Sequence, residues 1–216
     1  MARPKDQTGR RRNLVDAATR AIARCGVAGL RVRDVAGEAG LSPGLVSYYY
    51  RSLDDLVVDV HARAVQRFYS ARREAVDSVD DPTEQLGELA RRGVPERGDD
   101  LLCRVLYELH LHGGRSNAHA ALMTSLWEQE VSLYELALAR GVERGSFALR
   151  ASTRQVAETV VALEDAVGLH LVGRNASLSL ADARRLVVGL LERETGRELP
   201  HAGTGRGTSG AAGSRG

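Results

Sequence analysis

The chain has 216 residues, of which 43% are hydrophobic and 27% are charged, and its formal net charge is +2 at pH 7. This length supports a small domain joined to a larger one, or a single bundle with a substantial core. Strand-favouring aromatic residues make up only 4% of the sequence, and no stretch alternates apolar and polar residues over the length of a strand, so we expect an all-α protein. No uncharged stretch is long enough to cross a bilayer and the N-terminus is basic, so we expect a cytoplasmic protein.

The charge is divided unevenly along the chain. Residues 1–52 carry ten Lys and Arg against four Asp and Glu, a balance of +6, whereas residues 53–196 carry 17 against 23, a balance of −6. A cationic end on an acidic body predicts a polyanionic partner at that end, the alternative being a solvated basic arm. Cys25 and Cys103 lack CxxC spacing and are expected to be reduced core thiols.

Apolar positions spaced by three and four residues predict about nine helices. Residues 1–9 are expected to be a flexible basic lead, followed by a helix from Arg10 to Cys25 that Gly26 closes. Two short helices lie within residues 31–50. Six more helices are predicted at residues 53–76, 84–92, 99–112, 117–143, 152–172 and 179–195, the last two opened by capping Ser152 and Ser179.

Three domains follow from these elements. Residues 1–52 are predicted to form a three-helix head, and residues 53–199 a six-helix body. Residues 200–216 are rich in Gly, Ser and Thr and are expected to be a disordered tail.

Within the head, residues 32–51 have the sequence VRDVAGEAGLSPGLVSYYYR, whose pattern favours a helix-turn-helix. Gly40 can adopt the left-handed conformation that ends the first helix, and Leu41 is expected to fill the corner at the turn. Ser42 is predicted to cap the second helix, with Pro43 at its first position, where a missing amide costs nothing.

The second helix of this motif is predicted to contact DNA. Val46 and Tyr50 are expected to face the core, which leaves an apolar and aromatic surface suited to base edges in a major groove, flanked by arginines for phosphates. The alternative is a mere packing corner, with two of the tyrosines covering a neighbouring helix. The predicted DNA-binding residues are Arg31, Arg33, Ser42, Pro43, Gly44, Leu45, Ser47, Tyr48, Tyr49 and Arg51.

Residues 10–60 resemble the DNA-binding head of the TetR family of one-component regulators. The stretch VRDVAGEAGLSPGLVSYYYRSLDDL matches that family's pattern from its second to its fourth helix without a gap, and SPGLVSYYYR is most similar to the choline-responsive betaine regulators. The resemblance implies an all-α fold with a helix-turn-helix head and a six-helix ligand-binding and dimerisation bundle. It also implies that effectors bind among helices 4 to 7 and that the last two helices dimerise.

Two residues depart from the family's pattern. Tyr50 stands where the family usually has Phe, so its hydroxyl must find a partner or reach solvent. Leu53 stands where many members have a phosphate-binding Lys, and Arg51 is expected to replace that contact.

Seven residues in the apolar stretches of helices 4 to 7 are candidates for an effector site. Each alone is more simply explained as ordinary core, but together they predict a mostly apolar cavity for a small hydrophobic ligand. Alternatively, the indole of Trp127 with Glu128 and Glu130 would cradle a cation. The candidates are Phe68, Cys103, Tyr107, His110, Met123, Trp127 and Tyr134.

Apolar stripes on the last two helices predict the dimer interface. Pairing these helices across a two-fold axis gives a four-helix bundle that presents two heads to a near-palindromic operator. Gly168 and Gly189 would permit close approach of the helices. The alternative is that the stripes are buried within one subunit. The predicted interface residues are Val160, Leu163, Val167, Leu171, Leu186, Val187 and Leu190.

No nucleophile elbow, paired-carboxylate motif or phosphate loop is present, and no HExxH motif accompanies the histidines, so we expect no enzymatic activity, no metal and no cofactor. The sequence predicts a ligand-responsive transcriptional regulator, a repressor that binds double-stranded operator DNA as a homodimer and is released by a small-molecule effector. No membrane partner is expected. The alternative is an effector-independent DNA-binding regulator whose body binds a protein partner.

Overall fold

The computed structural model describes residues 4–95, 97, 100–110, 112 and 116–200, which form nine α-helices and no strand. The all-α prediction is confirmed. From residue 201 onward, the predicted disordered tail lies outside the described residues. The helices are α1 (Pro4–Gly29), α2 (Val32–Ala39), α3 (Pro43–Tyr49), α4 (Leu53–Asp77), α5 (Pro82–Gly93), α6 (Leu101–His110), α7 (Asn117–Glu143), α8 (Thr153–Val172) and α9 (Leu180–Thr195).

Helix α1 is longer than predicted. It begins at Pro4, so the flexible lead expected over residues 1–9 is wrong for residues 4–9. Shortly after these residues, Arg11 forms an ion pair with Asp59 of α4 at 3.1 Å. The predicted break at Gly26 is confirmed, because this residue has φ 71° and ψ 167° within an otherwise helical segment.

Two hydrophobic cores organise the described chain. The first joins the head helices to α4, α6 and the start of α7, and the second joins the end of α4 to α5, α7, α8 and α9. The first core crosses residue 52, since Val46 and Leu56 both belong to it. The proposed boundary between head and body therefore coincides with a helix start rather than with a break in packing, and it stays a prediction.

The helix starts predicted from capping residues are confirmed for α8 and α9. The side chain of Ser152 accepts a hydrogen bond from the N–H of Gln155 at 3.2 Å, and Ser179 accepts one from Asp182 at 3.1 Å. In both cases the third helical residue bonds back to the cap, which completes a capping box. None of the described helices is long and apolar enough to span a membrane.

Candidate functional site

The helix-turn-helix predicted in the head is formed by α2 and α3. Gly40 ends α2 with φ 65° and ψ 34°, and its N–H points to the carbonyls of Ala36 and Gly37. The Ser42 side chain accepts a hydrogen bond from the N–H of Leu45 at 3.3 Å. The left-handed glycine and the capping serine are therefore confirmed, and they fix where α3 begins.

Helix α3 turns one side to the core and the other to solvent. Val46 is 2% exposed and Tyr50, which follows the helix, is 4% exposed, as predicted, whereas Tyr48 is 74% exposed. The Tyr49 ring lies edge-on to that of Tyr48, with centroids 5.3 Å apart, and packs partly on the head core. Of the two tyrosines, Tyr48 is thus the more open. The other candidates of this segment are half-buried (Leu45) or exposed (Ser42, Pro43, Gly44 and Ser47).

The three arginines predicted to contact phosphates are all exposed, but they differ in their present contacts. Arg31 donates hydrogen bonds to the carbonyls of Ala28 at 3.2 Å and Leu30 at 2.9 Å, so it also holds the turn between α1 and α2. The side chains of Arg33 and Arg51 make no hydrogen bond, ion pair or ring contact within the described part of the chain. Their guanidinium groups are available to an anion such as a phosphate.

The hydroxyl of Tyr50 has a partner. It donates to Asp59 Oδ2 on α4 at 2.8 Å, and the same oxygen accepts a hydrogen bond from Arg11 of α1 at 3.1 Å. The Arg11 guanidinium lies 4.6 Å from the centre of the Tyr50 ring. Burial, followed by the hydrogen bond to Asp59, raises the pKa of Tyr50 to about 12, so the hydroxyl stays protonated. The end of the α3 segment is thereby tied to both α1 and α4.

Five of the seven effector candidates lie in or beside a buried ion cluster at the centre of the body. Arg72 Nη1 of α4 donates to Glu130 Oε1 of α7 at 3.0 Å and to Glu164 Oε2 of α8 at 2.9 Å. All three residues are buried. The ring centres of Phe68 and Tyr134 each lie 5.4 Å from the guanidinium carbon of Arg72. A cation of the chain itself is therefore enclosed by two aromatic rings and two carboxylates.

Three further candidates border this cluster. Tyr107 donates a hydrogen bond to the backbone carbonyl of Glu164 at 3.4 Å, and the ring of His110 lies 5.7 Å from that of Tyr107. Cys103 is buried, and this burial raises the pKa of its thiol. The sequence predicted a mostly apolar cavity around these residues, whereas their surroundings in the structure are charged.

The remaining two candidates, Met123 and Trp127, are half-buried. Trp127 packs against the second hydrophobic core. Glu128, which the cation-cage alternative places beside this indole, accepts a hydrogen bond from Arg154 of α8 at 2.9 Å. Of the two carboxylates in that alternative, Glu130 is thus the one that joins the buried cluster.

The sequence did not predict the burial or the pairing of Arg72 and Glu164. Arg72 follows Phe68 by four residues on the apolar stripe of α4, and Glu164 lies between Val160 and Val167 on that of α8. A charged residue in the middle of an apolar stripe is rarely buried unless it is paired, and this was the available signal.

The cluster holds more carboxylates than cations. Burial raises the pKa of Glu130 to about 8, although the nearby guanidinium of Arg72 works against this shift. Burial likewise raises the pKa of Glu164 and of the adjacent Asp165. The site therefore favours a proton, or another positive charge, at neutral pH.

A pair of buried histidines, also missed, joins α4 to α7. The Nδ1 atoms of His61 and His119 are 2.8 Å apart, and the side chains are 0% and 2% exposed. The His112 ring is edge-on to that of His119, with centroids 5.3 Å apart. Burial and the neighbouring His119 lower the pKa of His61 to about 4. Among the described residues, no group of three or more potential ligands is arranged to hold a metal ion.

The structure corrects part of the predicted dimer interface. Val160, Val167 and Val187 are 0%, 4% and 0% exposed and belong to the subunit's own core, which leaves them no surface for a partner. Gly168 faces the Tyr107 hydroxyl of the same subunit, so its missing side chain serves the approach of α6. Leu186 is 46% exposed. The other predicted interface residues, which are half-buried, are Leu163, Leu171 and Leu190.

Comparisons with known proteins agree with this architecture. A family model described as bacterial regulatory proteins, tetR family, matches residues 14–60. The transcriptional regulator BetI of Brucella anthropi is 30% identical over 80 residues, which are 37% of this chain and 41% of BetI. The match thus spans about two fifths of that relative's length.

Solved structures extend the likeness to the body. A TetR transcription regulator from Haloarcula marismortui has a TM-score of 0.78 at 20% identity, covering 88% of this chain and 99% of its own. A transcriptional regulator from Saccharomonospora viridis in complex with choline has a TM-score of 0.79 at 20% identity, covering 87% and 98%. FadR from Bacillus subtilis in complex with stearoyl-CoA has a TM-score of 0.66 at 16% identity, covering 85% and 96%. At these identities the likeness shows the fold.

The nine helices of the described residues and the capped helix-turn-helix define an all-α protein whose head has a helix-turn-helix of the kind that binds nucleic acid. Residues 14–60 match the model of bacterial regulatory proteins of the tetR family, and the rest of the chain shares the fold of the TetR-type structures compared above.

Proposed function

We propose that this protein is a ligand-responsive repressor that binds a near-palindromic operator as a homodimer and is released by a small-molecule effector. The observation that carries the proposal is the open surface of α3, where the ring of Tyr48 is 74% exposed. Among the described residues, Tyr48 is the most exposed of the large hydrophobic side chains and the one aromatic among those that are exposed. Arg33 and Arg51 flank the same surface as uncommitted cations, which suits duplex DNA.

The first step is to identify the operator, by using the full chain to select the duplexes that it binds from a random pool. Tyr48→Ala is then expected to weaken binding to that operator roughly 5- to 150-fold, which corresponds to the ~1–3 kcal/mol typical of one base contact, with little effect on random duplex. Tyr48→Phe keeps the ring and removes the hydroxyl, so it distinguishes the contribution of each to operator binding. Leu136→Ala, at a side chain 41% exposed on α7, is the matched control. Equal losses on both DNAs would remove Tyr48 from base contact.

Phosphate contacts are separable from base contacts by their salt dependence. Arg33→Ala is expected to weaken binding to operator and random duplex alike and to reduce the slope of log K against log salt by about 1. The control is Arg67→Ala, because Arg67 is exposed on α4 and belongs to the body. An unchanged slope would exclude Arg33 from the phosphate contacts.

Dimerisation is proposed through the exposed parts of α8 and α9. Leu186→Glu places a charge at a side chain that is 46% exposed in one subunit and is expected to give a folded monomer in sedimentation velocity. Leu136→Glu, at a comparable exposure on α7, should leave the dimer intact. A dimer that persists in Leu186→Glu would place the interface elsewhere.

The effector is proposed to act at the buried cluster of Arg72, Glu130 and Glu164. The surplus of carboxylates and the two aromatic rings suit a cation, and the Saccharomonospora neighbour was crystallised with choline. Choline should therefore raise the melting temperature with concentration, whereas its neutral isostere 3,3-dimethylbutanol should not. Glu130→Gln should remove the difference between the two compounds.

A second candidate function is an effector-independent regulator whose body binds a protein partner. It is favoured by the Arg72 guanidinium, which already occupies the space between the rings and carboxylates. Equal melting temperatures with and without choline and its isostere, together with intact operator binding, would support this candidate over the first.

A further inference from the structure

A cavity of about 310 Å³ lies between α1, α6 and α8, where the head meets the body. It is lined by residues of all three helices and is separate from the buried ion cluster. Tyr107 belongs to both places, because it lines the cavity and donates its hydroxyl hydrogen to the Glu164 carbonyl at 3.4 Å. This volume is at the small end of ligand pockets, which span roughly 300–1,000 Å³.

The cavity wall combines apolar and cationic groups. Ile22 and Ala23 of α1 and Leu169 of α8 supply apolar surface, and Leu169 is 48% exposed at the mouth. Arg104 of α6 is half-buried in the wall, and its guanidinium has no partner within the described part of the chain. A half-buried guanidinium without an acceptor is a ready site for a carboxylate, which it can bind through two hydrogen bonds.

The remaining charges of the wall are already engaged. Arg24 lies 3.7 Å from Glu38 of the head. Glu108 Oε1 accepts a hydrogen bond from the N–H of Val27 at 3.0 Å. Among the described charged residues that line the cavity, Arg104 is thus the one whose side chain has no partner, and it is positive.

The bond from Val27 to Glu108 is a contact between head and body, which we call the Gly26 latch. Gly26 leaves helical geometry with φ 71° and ψ 167°, so the N–H that follows it needs an acceptor from outside the helix. Glu108 of α6 supplies that acceptor. Because Gly26 and Glu108 both line the cavity, an occupant would lie directly against the latch.

We propose that this cavity binds a small amphipathic carboxylate, with its anionic group on Arg104 and its apolar part against Ile22, Ala23 and Leu169. The occupant holds α6 against α1 and keeps the Gly26 latch closed. This site goes beyond the effector site proposed above, and its binding can be measured without DNA.

The probe is hexanoate, compared with 1-hexanol and hexylammonium, on the full chain by thermal shift. Hexanoate is expected to raise the melting temperature with concentration, and the alcohol and the ammonium are not. Arg104→Gln should abolish the shift in melting temperature. Leu169→Glu should also abolish it, because the new carboxylate at the cavity mouth would repel the carboxylate of hexanoate. Arg67→Gln, at an exposed arginine of α4, should keep it.

The latch is tested by hydrogen exchange at the Val27 amide. If hexanoate must leave before the latch opens, a hexanoate concentration of about ten times its Kd should slow exchange of the Val27 amide about tenfold. Amides at the exposed ends of other helices should exchange at unchanged rates. A hexanoate shift that survives in Arg104→Gln, an equal shift with 1-hexanol, or no shift at all would overturn the proposal. Failure of operator binding would leave these results untouched and would count against the repressor proposal alone.

Discussion

The head and the body of this protein place their polar groups by different means. In the head, the caps at Gly40 and Ser42 are made by residues within six positions of their partners. In the body, Arg72 meets Glu130 across 58 residues and Glu164 across 92. The first kind of contact is set by local backbone geometry and the second by the packing of whole helices, so the two regions should respond differently to substitution.

The largest effect is expected at the body cluster. Arg72→Ala leaves two buried carboxylates without their cation and should lower the free energy of unfolding by about 3–5 kcal/mol. Chemical denaturation at fixed protein concentration measures this. Arg73→Ala, which removes the exposed pair of Arg73 with Asp77, should cost no more than about 0.5 kcal/mol. Adding Glu130→Gln to Arg72→Ala should restore part of the loss, and no recovery would contradict the charge argument.

The next effect is a pH dependence at the seam of α4 and α7. The pKa of His61 is about 4 in the folded chain and about 6.5 in the unfolded one, so the unfolded state binds more protons between these values. Stability should therefore fall with decreasing pH, by about 2 kcal/mol from pH 7 to pH 5 for this group. Denaturation of His61→Gln across the same range should show a shallower decline. Parallel curves for the two proteins would exclude His61 as the source.

A smaller effect is expected at the turn of the helix-turn-helix. Gly40→Ala puts a side chain at φ 65° and should destabilise the head by about 1–2 kcal/mol. Gly37 supplies the matched control, because it lies inside α2 and an added Cβ would meet no other part of the described chain within 4 Å beyond its own helical turn. Gly37→Ala should instead stabilise the protein by about 0.5–1 kcal/mol. Thermal unfolding of both variants measures the two changes in melting temperature, which should have opposite signs. Changes of the same sign would refute the backbone explanation.

The smallest effect is expected where head and body meet, at Tyr50→Phe. The change removes one hydrogen bond to Asp59, which keeps its ion pair with Arg11 at 3.1 Å. The loss should be about 0.5–1.5 kcal/mol in denaturant. In an Asp59→Ala background, Tyr50→Phe should cost nothing further, and an additive loss would show that the hydroxyl has another partner.

The elements predicted best from the sequence are those with local causes. The start of α7 at Asn117, the break at Gly26 and the capping boxes at Ser152 and Ser179 are confirmed because each depends on a few adjacent residues. The start of α1 was missed because residues 4–9 have the sequence PKDQTG, which shows no apolar period and is rich in residues of low helix propensity; the proline is tolerated because it stands in the first turn.

The body's contacts were less accessible to sequence analysis. The spacing of Val160, Val167 and Val187 predicted an apolar face, but spacing alone does not say whether that face meets a partner or the subunit's own core. The meeting of His61 with His119, and of Arg72 with Glu164, depends on how three helices cross, and no local pattern encodes that crossing.

The shared oxygen of Asp59, which accepts hydrogen bonds from both Tyr50 and Arg11, has a mechanical consequence. It fastens the segment carrying α3 to the first turns of α4, so a tilt of α4 would move the exposed surface of α3 with it. In the homodimer proposed above, a displacement of α4 would therefore change the distance between the two heads while the fold of each head is preserved.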